Sequence, residues 1–365
     1  MPELHRLFGL PHQLAWELPS FILAGLLPCL FLSLWPLVLL PWLAWLSWFI
    51  YKQWINIRWL SFQDKAVLIT GCDSGFGLAL ASQLARRKCL VFAACLQPES
   101  EGAMQLKNLG SDNLRVLALD IADAASVAAC REFVEEKLQE AKLKGLWGLY
   151  NNAGISQAGE AEWMRMADYR KAIEVNTLGT IQVTKAFLPL IRQAKGRVVT
   201  ITSGIGRSAL LGRSGYCVSK YALEAFLDCL RYEMLKFHVK VITISPGNLA
   251  GSTGIFAGIQ PCLEGQLKEL SCEIRDAYGE RYISAFRESI IGKGGYGSKG
   301  STTPIQPVLD DVTHALFAIS PRVRYKSAQW GWVVWWFIYN LFPEDLTDLY
   351  HQWQQRKLPK PSSLI

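Results

Sequence analysis

No CxxC pair, no cluster of histidines and no Asn-x-Ser/Thr acceptor site occurs in the chain. The nine cysteines are an odd number, scattered from Cys29 to Cys272. A zinc site needs closely spaced Cys and His ligands, and a disulfide framework needs pairs, so neither is expected and no metal is assigned. Scattered thiols without glycosylation acceptors point to a reducing compartment. Positive charge is in only modest excess, +7 over 365 residues, and no basic tract is interleaved with aromatics. Nucleic acid is therefore excluded as an expected partner. An anionic membrane surface suits such a diffuse excess better, and a merely basic enzyme is the simplest reading of it. No internal repeat is present.

Charge is missing altogether from Leu18 to Tyr51. A single span needs roughly 20 apolar residues, so this run suffices. Pro28, Pro36 and Pro41 interrupt it, which leaves a kinked span and a shallow re-entrant hairpin both open. The run is too long for a cleaved signal peptide and lacks a prompt small-residue cleavage site. Glu3 and Glu17 argue against a mitochondrial targeting segment. Trp42, Trp45, Trp48, Trp54 and Trp59 suit an interfacial belt, and Lys52, Arg58 and Lys65 favour a cytosolic domain downstream. Residues 1–60 are thus expected to form a membrane anchor rather than a buried hairpin of a soluble protein. The endoplasmic reticulum is the expected membrane, with the mitochondrial membrane as alternative. Residues 326–365 form a second Trp-rich segment. Its apolar stretch "WGWVVWWFIYNLF" is too short to span, and suits an interface, a dimer contact or a substrate mouth; the tail after it reads as a frayed end.

Between them, residues 64–325 alternate near-continuous apolar runs ("KAVLIT", "CLVFAAC", "LRVLALD", "LWGLYNN", "GRVVTIT", "KVITIS") with helical stretches. The helices are expected over Phe76–Arg87, Ala124–Ala141, Tyr169–Ala194 and Ser214–Phe237. This alternation predicts an α/β Rossmann-like, doubly wound parallel sheet, with ligands at the carboxyl ends of the strands. After Ser245 the alternation dissolves, and residues 248–303 are expected as a lid over that edge.

The first strand runs into "TGCDSGFG", residues 70–77. Gly71, Gly75 and Gly77, with Asp73, Ser74 and Phe76 between them, permit a tight turn with backbone N–H groups at a helix N-terminus, suited to a pyrophosphate. The same residues also suit an ordinary structural turn. At the end of the second strand, where an acid often holds a ribose, stands Cys95 with no arginine nearby. Nothing basic would clamp a 2′-phosphate and Asp73 would repel one, so NAD is expected rather than NADP. Asp120 closes the third strand, as a contact to an adenine edge or as a helix cap. Asn152, Ala153 and Gly154 close the fourth, leaving room for a flat ring or forming a plain turn.

Two Tyr/Lys pairs at i, i+4 follow: Tyr216–Lys220 and Tyr232–Lys236. On a helix each pair shares a face, with Cβ atoms about 6 Å apart. Ser203 lies at a strand end thirteen residues before Tyr216, so the intervening loop can fold them together. The serine equally placed before Tyr232 is Ser219, on the same helix and roughly 20 Å along its axis. Tyr216–Lys220 is therefore the chemical candidate and Tyr232 is expected as a packing residue.

TGxxxGxG, NNAG, the Asn of "EVNTLGT", Ser followed by YxxxK, and SPG appear in that order from Thr70 to Gly247. The pattern resembles the short-chain dehydrogenase/reductase family. The wording of "TGCDSGFG", "LWGLYNNAGIS", "AFLPLIRQAKGRVV" and "YCVSKYALEAFLDCLRYEM" is similar to the branch holding retinol dehydrogenases, oxidising (type 2 17β-like) hydroxysteroid dehydrogenases and D-3-hydroxybutyrate dehydrogenase. The resemblance implies a catalytic tetrad of Asn176, Ser203, Tyr216 and Lys220. Tyr216 would be the general base, Lys220 would favour its phenolate and hold the ribose, Ser203 would hold the substrate oxygen beside Tyr216, and Asn176 would position a relay water. Pro246 and Gly247 would border the nicotinamide. Two positions depart from the pattern: Thr202–Ser203 replaces a serine pair, and a threonine usual just after Pro246–Gly247 is displaced to Thr253. The implied reaction is NAD-dependent oxidation of a lipophilic alcohol, of steroid or retinoid type, collected from membrane lipid. The alternative is D-3-hydroxybutyrate, with Arg207 or Arg213 as cationic clamp; a catalytically silent nucleotide-binding scaffold is the alternative of another class. The resemblance also implies a homo-oligomer.

Overall fold

The computed structural model describes residues 35–56, 58–247, 249, 253–291, 304–328, 339–341 and 343–364, in two units, Met1–Trp59 and Leu60–Ile365. In the first unit, helix α1 (Trp35–Asn56) carries Pro41 near its start and exposes Leu40, Trp42, Trp45 and Trp48. Among the described residues no helix is long and apolar enough to cross a membrane. The first half of the uncharged run, up to residue 34, lies outside the described residues.

The second unit is built on a seven-stranded parallel sheet of order β3-β2-β1-β4-β5-β6-β7. Its strands are β1 (Ala66–Thr70), β2 (Leu90–Cys95), β3 (Leu114–Ala118), β4 (Gly148–Asn151), β5 (Arg197–Ile201), β6 (Lys240–Ile244) and the two-residue β7 (Arg324–Tyr325). Each right-handed crossover of a parallel sheet needs a helix, so both faces become covered and the strands are apolar on both sides. Side chains alternate accordingly. Val67 and Ile69 of β1 point to one core with Leu80 and Leu84 of α2 (Gly75–Arg86), and with Val312 and Leu316 of the late helix Gln306–Phe317. Ala66 and Leu68 point to the other core. It is shared with Val127 and Val134 of Ala124–Glu140, Phe187 of Thr180–Ala194, and Leu223 and Leu227 of Ser214–Met234. In chain order the remaining helices are α3 (Glu101–Lys107), α4 (Ala124–Glu140), α5 (Met166–Ile173), α6 (Thr180–Ala194), α7 (Ser214–Met234), α8 (Ile259–Lys268), α9 (Cys272–Tyr278), α10 (Glu280–Ile291), α11 (Gln306–Phe317) and α12 (Glu344–Gln355).

Chain order reverses between β1 and β4, which opens a crevice at their carboxyl ends. The described part of the expected lid is helical (α8 to α10) and has its own small core: Ile259, Leu263, Ile283 and Phe286 pack on Ala158 and Trp163. The tail is a correction to the sequence reading. Instead of fraying, Leu358 packs against this small core, and Ser362 lies so close to Gly279 that a Cβ there would meet its hydroxyl. Of the Trp-rich stretch, residues 329–338 and 342 lie outside the described residues, while the Tyr339 hydroxyl accepts a hydrogen bond from Ala209 N at 3.2 Å.

Candidate active site

One cavity of about 840 Å³ occupies the crevice, lined by Gly71, Asp73 to Phe76, Asp120, Asn152 to Gly154, Ser203, Tyr216, Lys220, Pro246 and Gly247 among others. Gly77, Cys95 and Asn176 do not line it. Thr70 begins the construction: its Oγ1 accepts from Asn152 N and Ala153 N, each at 3.0 Å. Asn152 Nδ2 donates back to Thr70 O (2.9 Å) and Gly71 O (3.0 Å). The Gly-rich turn and the NNAG turn are thereby joined. Gly71 has φ +70°, and a Cβ on it would lie 2.8 Å from Ala153 Cα. Gly77 packs inward, where a Cβ would stand 2.3 Å from Gly71 O. Ser74 precedes α2 without a side-chain cap bond, and Ser74, Gly75 and Phe76 at this helix start line the cavity. An uncapped helix N-terminus beside a narrow glycine turn fits a pyrophosphate.

Cys95 is fully buried in the core, and burial pushes its thiol up to about 12. The acid beside the end of β2 is Asp73, which reaches across from the Gly-rich turn. Its carboxylate accepts from Leu96 N and Gln97 N, both at 2.9 Å, and from Ser100 Oγ at 3.3 Å. Asp120 lines the cavity and accepts from Ala122 N at 2.9 Å; the cap of α4 is Asp123, which accepts from Ala125 N and Ser126 N.

Tyr216 and Lys220 sit in the first two turns of α7 and both are buried. Lys220 Nζ donates to Ile201 O at 3.3 Å and lies 5.7 Å from the Tyr216 ring centre. Burial pushes the Tyr216 phenol up to about 12, opposed by a hydrogen bond with Ser203 and by the charge of Arg213. Burial brings Lys220 down to about 8, opposed by the charge of Glu224. Asn176 belongs to a π-helical turn, Glu174–Gly179, between α5 and α6. Such bulges re-aim side chains and recur at functional sites. Its Oδ1 accepts from Ile155 N (2.8 Å), and its Nδ2 donates to Ile155 O and Ser219 Oγ (2.9 Å each). A Cβ placed on Gly154 would meet both Asn176 Oδ1 (3.0 Å) and Lys220 Nζ (3.7 Å), so these two groups flank one point.

Tyr232 is 62% exposed, with the Arg231 guanidinium over its ring at 4.2 Å. It is a surface residue, not the packing residue that spacing implied. Of the two candidate clamps, Arg207 is engaged by Glu224 and Asp228 and does not line the cavity. Arg213 does line it and is 3% exposed. Its Nη1 donates to Ser156 Oγ (3.3 Å) and Gln157 O (3.1 Å), and its guanidinium lies 5.2 Å from the Phe256 ring centre. Thr253, the displaced threonine of the family pattern, lines the cavity, and so does Phe256, which no motif singled out.

Residues 65–260 match the family model described as short chain dehydrogenase. Mitochondrial D-beta-hydroxybutyrate dehydrogenase of Bos taurus is 44% identical over 290 residues, covering 78% of this chain and 83% of that protein. Retinol dehydrogenase 16 of Mus musculus is 42% identical over 301 residues, covering 82% and 91%. 17-beta-hydroxysteroid dehydrogenase type 6 of Bos taurus is 38% identical over 323 residues, covering 88% and 96%. Among solved structures, a short chain dehydrogenase/reductase from Burkholderia phymatum in complex with NAD superimposes with a TM-score of 0.60 at 19% identity, over 73% of this chain and 90% of that one. That likeness is one of fold.

Proposed function

The chain belongs to the short-chain dehydrogenase family and is an oxidoreductase acting on CH–OH groups, and from that premise we propose that it oxidises a secondary or lipophilic alcohol with NAD while held at a membrane. The observation that carries this reading is the convergence of Ser203, Tyr216 and Lys220 on the cavity that the Gly71–Phe76 turn also lines. Oxidised nicotinamide supplies the hydride acceptor and a positive charge. Ser203 and Tyr216 hold the alcohol oxygen between them, and the Tyr216 phenolate takes its proton. Lys220 keeps a positive charge beside that phenolate, and Asn176 orders the polar groups behind it. Asp73 places negative charge where a 2′-phosphate would lie, which favours NAD over NADP. Ile155, Ile205, Leu210, Ile255 and Phe256 give the remaining wall an apolar lining suited to a steroid or retinoid. The uncharged run of residues 18–51 and the exposed tryptophans of α1 support attachment to the endoplasmic reticulum membrane with a cytosolic catalytic unit. The test is a substrate panel in detergent, following NADH absorbance. Oxidation of hydroxybutyrate without any steroid or retinol turnover would overturn the lipophilic reading.

The proton bookkeeping gives a pH dependence. Because burial raises the Tyr216 phenol, the basic form needed for oxidation is scarce at low pH and grows as pH rises. Oxidation kcat/KM is expected to rise from about pH 6 to about pH 8, the range in which Lys220 keeps its charge, and carbonyl reduction, which needs the phenol, to fall over the same range. Parallel changes in the two directions would contradict the assignment.

A second reading, oxidation of a 3-hydroxy carboxylate, is favoured by Arg213, a buried cation on the cavity wall three residues before Tyr216. If it is correct, Arg213→Met lowers kcat/KM for the hydroxy acid about 100-fold, since loss of a buried charge partner costs about 2–5 kcal/mol. Uncharged alcohols should change less than about threefold. Equal losses on both substrate types would remove the clamp role.

A further inference from the structure

One helical turn beyond Lys220, on the same face of α7, lies a second charged residue that no motif demands. Glu224 is 3% exposed. Its Oε2 accepts from Arg207 Nε at 3.0 Å and from Arg324 Nη1 of β7. Asp228, one turn further, accepts from Arg207 Nη2 and Arg324 Nη2 (2.5 Å each) and from Arg231 Nη2 (3.4 Å). Arg324 is itself held by Thr243 Oγ1 of β6 at 3.2 Å. The cluster therefore joins α7 to the loop that follows Ser203 and to the edge of the sheet. At Gly206 in that loop, a Cβ would meet Glu224 Cγ and Lys220 Cβ, both at 3.4 Å, so the loop backbone runs over the two side chains together.

A buried carboxylate serving only as a strut would be expected to use both oxygens. Glu224 Oε1 is buried and has no hydrogen-bond partner among the described residues. We propose that Glu224 is a positioning residue for catalysis: its buried carboxylate holds the Lys220 ammonium in the charged form that the Tyr216 base requires. The charged and titratable groups around Lys220 agree with this. Tyr216 and Glu224 are on its own helix, and the Ile201 carbonyl comes from β5. The neutral Asn176 amide comes from the π-helical turn, and Arg213 lies at the start of α7 on the far side of Tyr216. Arg207 and Arg324 reach Glu224 from the loop and from β7, and Asp228 balances them. Burial drives Lys220 toward the neutral amine, and the negative charge acting against that is Glu224. Two arginines on the same carboxylate temper this field without cancelling it.

The inference rests on the reading of Lys220 as the cation beside the Tyr216 base, and the experiment separates the two. Kinetic pH profiles of NAD-linked oxidation would be recorded for the full chain and for Glu224→Gln, Arg207→Leu and Asp228→Asn. Glu224→Gln removes charge at constant shape. It should move the limb of the kcat/KM profile governed by Lys220 to lower pH by about one unit and lower the maximum about tenfold. Arg207→Leu leaves Glu224 less neutralised, and should move the same limb to higher pH by a few tenths of a unit. Asp228→Asn, one turn farther from Lys220, should lower thermal stability and move the limb to lower pH by much less than Glu224→Gln does. Arg207 is half-exposed, so its opposite-signed shift stays measurable even if Glu224→Gln fails to fold. Uniform loss of rate with unshifted profiles in Glu224→Gln and Arg207→Leu would reduce Glu224 to a strut and overturn the inference. Full activity in Tyr216→Phe would instead overturn the reading beneath it.

Discussion

Tyr216→Phe is expected to lower kcat about 10³-fold while NAD binding changes little, because positioned general acid–base groups contribute roughly 10²–10⁴. The substitution removes one oxygen and keeps the ring, which at 7% exposure packs at the start of α7. Lys220 keeps its bond to Ile201 O, and the Gly-rich turn and Asn152 clamp are untouched. What disappears is the proposed proton acceptor, the only phenol among the described residues on the wall shared by Ser203 and Lys220. The loss should therefore appear in kcat, with NAD titration by fluorescence giving a Kd within about twofold of the parent. Tyr232→Phe provides the control. Its hydroxyl sits on an exposed surface of the same helix, so turnover should stay within about twofold. Retained turnover in Tyr216→Phe, or comparable losses in both variants, would dismantle the assignment.

The contrast between these tyrosines marks how far the sequence carries. Strands β1 to β6 were legible because a parallel sheet covered on both faces writes itself as continuous apolar runs, as in "KVITIS". Strand β7 was not, since two residues, Arg324 and Tyr325, carry no period at all. The Gly-rich turn and the NNAG turn were legible as punctuation. Their union through Thr70 and Asn152 was not, because it links residues about 80 positions apart. Position at a strand end named Cys95, whereas the acid at that place is Asp73, which reaches there only because the preceding turn curls over β2. Spacing likewise left Arg207 and Arg213 equivalent. The loop path separates them: Arg213 is pinned by a bridge to Gly159, while Arg207 turns outward to Glu224 and Asp228. Serine placement set Tyr232 apart from the chemistry, but nothing local says that its helix face is exposed.

The second large effect lies at the opposite end of the strands. Arg197 opens β5 and is 2% exposed, an uncommon place for a guanidinium. Its Nη1 donates to Ala315 O at 2.6 Å and its Nη2 to Ala318 O at 2.5 Å, at the C-terminus of α11. Trp147 Nε1 donates to the neighbouring Leu316 O at 2.9 Å, and the guanidinium lies 5.0 Å from the Trp147 ring centre. The last carbonyls of a helix have no partner within it, and here side chains supply them while positive charge meets the negative end of the helix. Burial lowers Arg197 to about 10, so it remains charged at neutral pH. Arg197→Met keeps apolar volume and strands two buried carbonyls at about 1–3 kcal/mol each. A total near 3–5 kcal/mol corresponds to a fall in Tm of roughly 6–15 °C. Arg197→Lys, which keeps the charge without the planar fork, should recover only part of it. Since the proposed catalytic groups lie at the carboxyl ends of the strands, kcat of the folded variant at low temperature should stay within about twofold of the parent. A Tm within about 2 °C of the parent would show that α11 closes on β5 without this arginine.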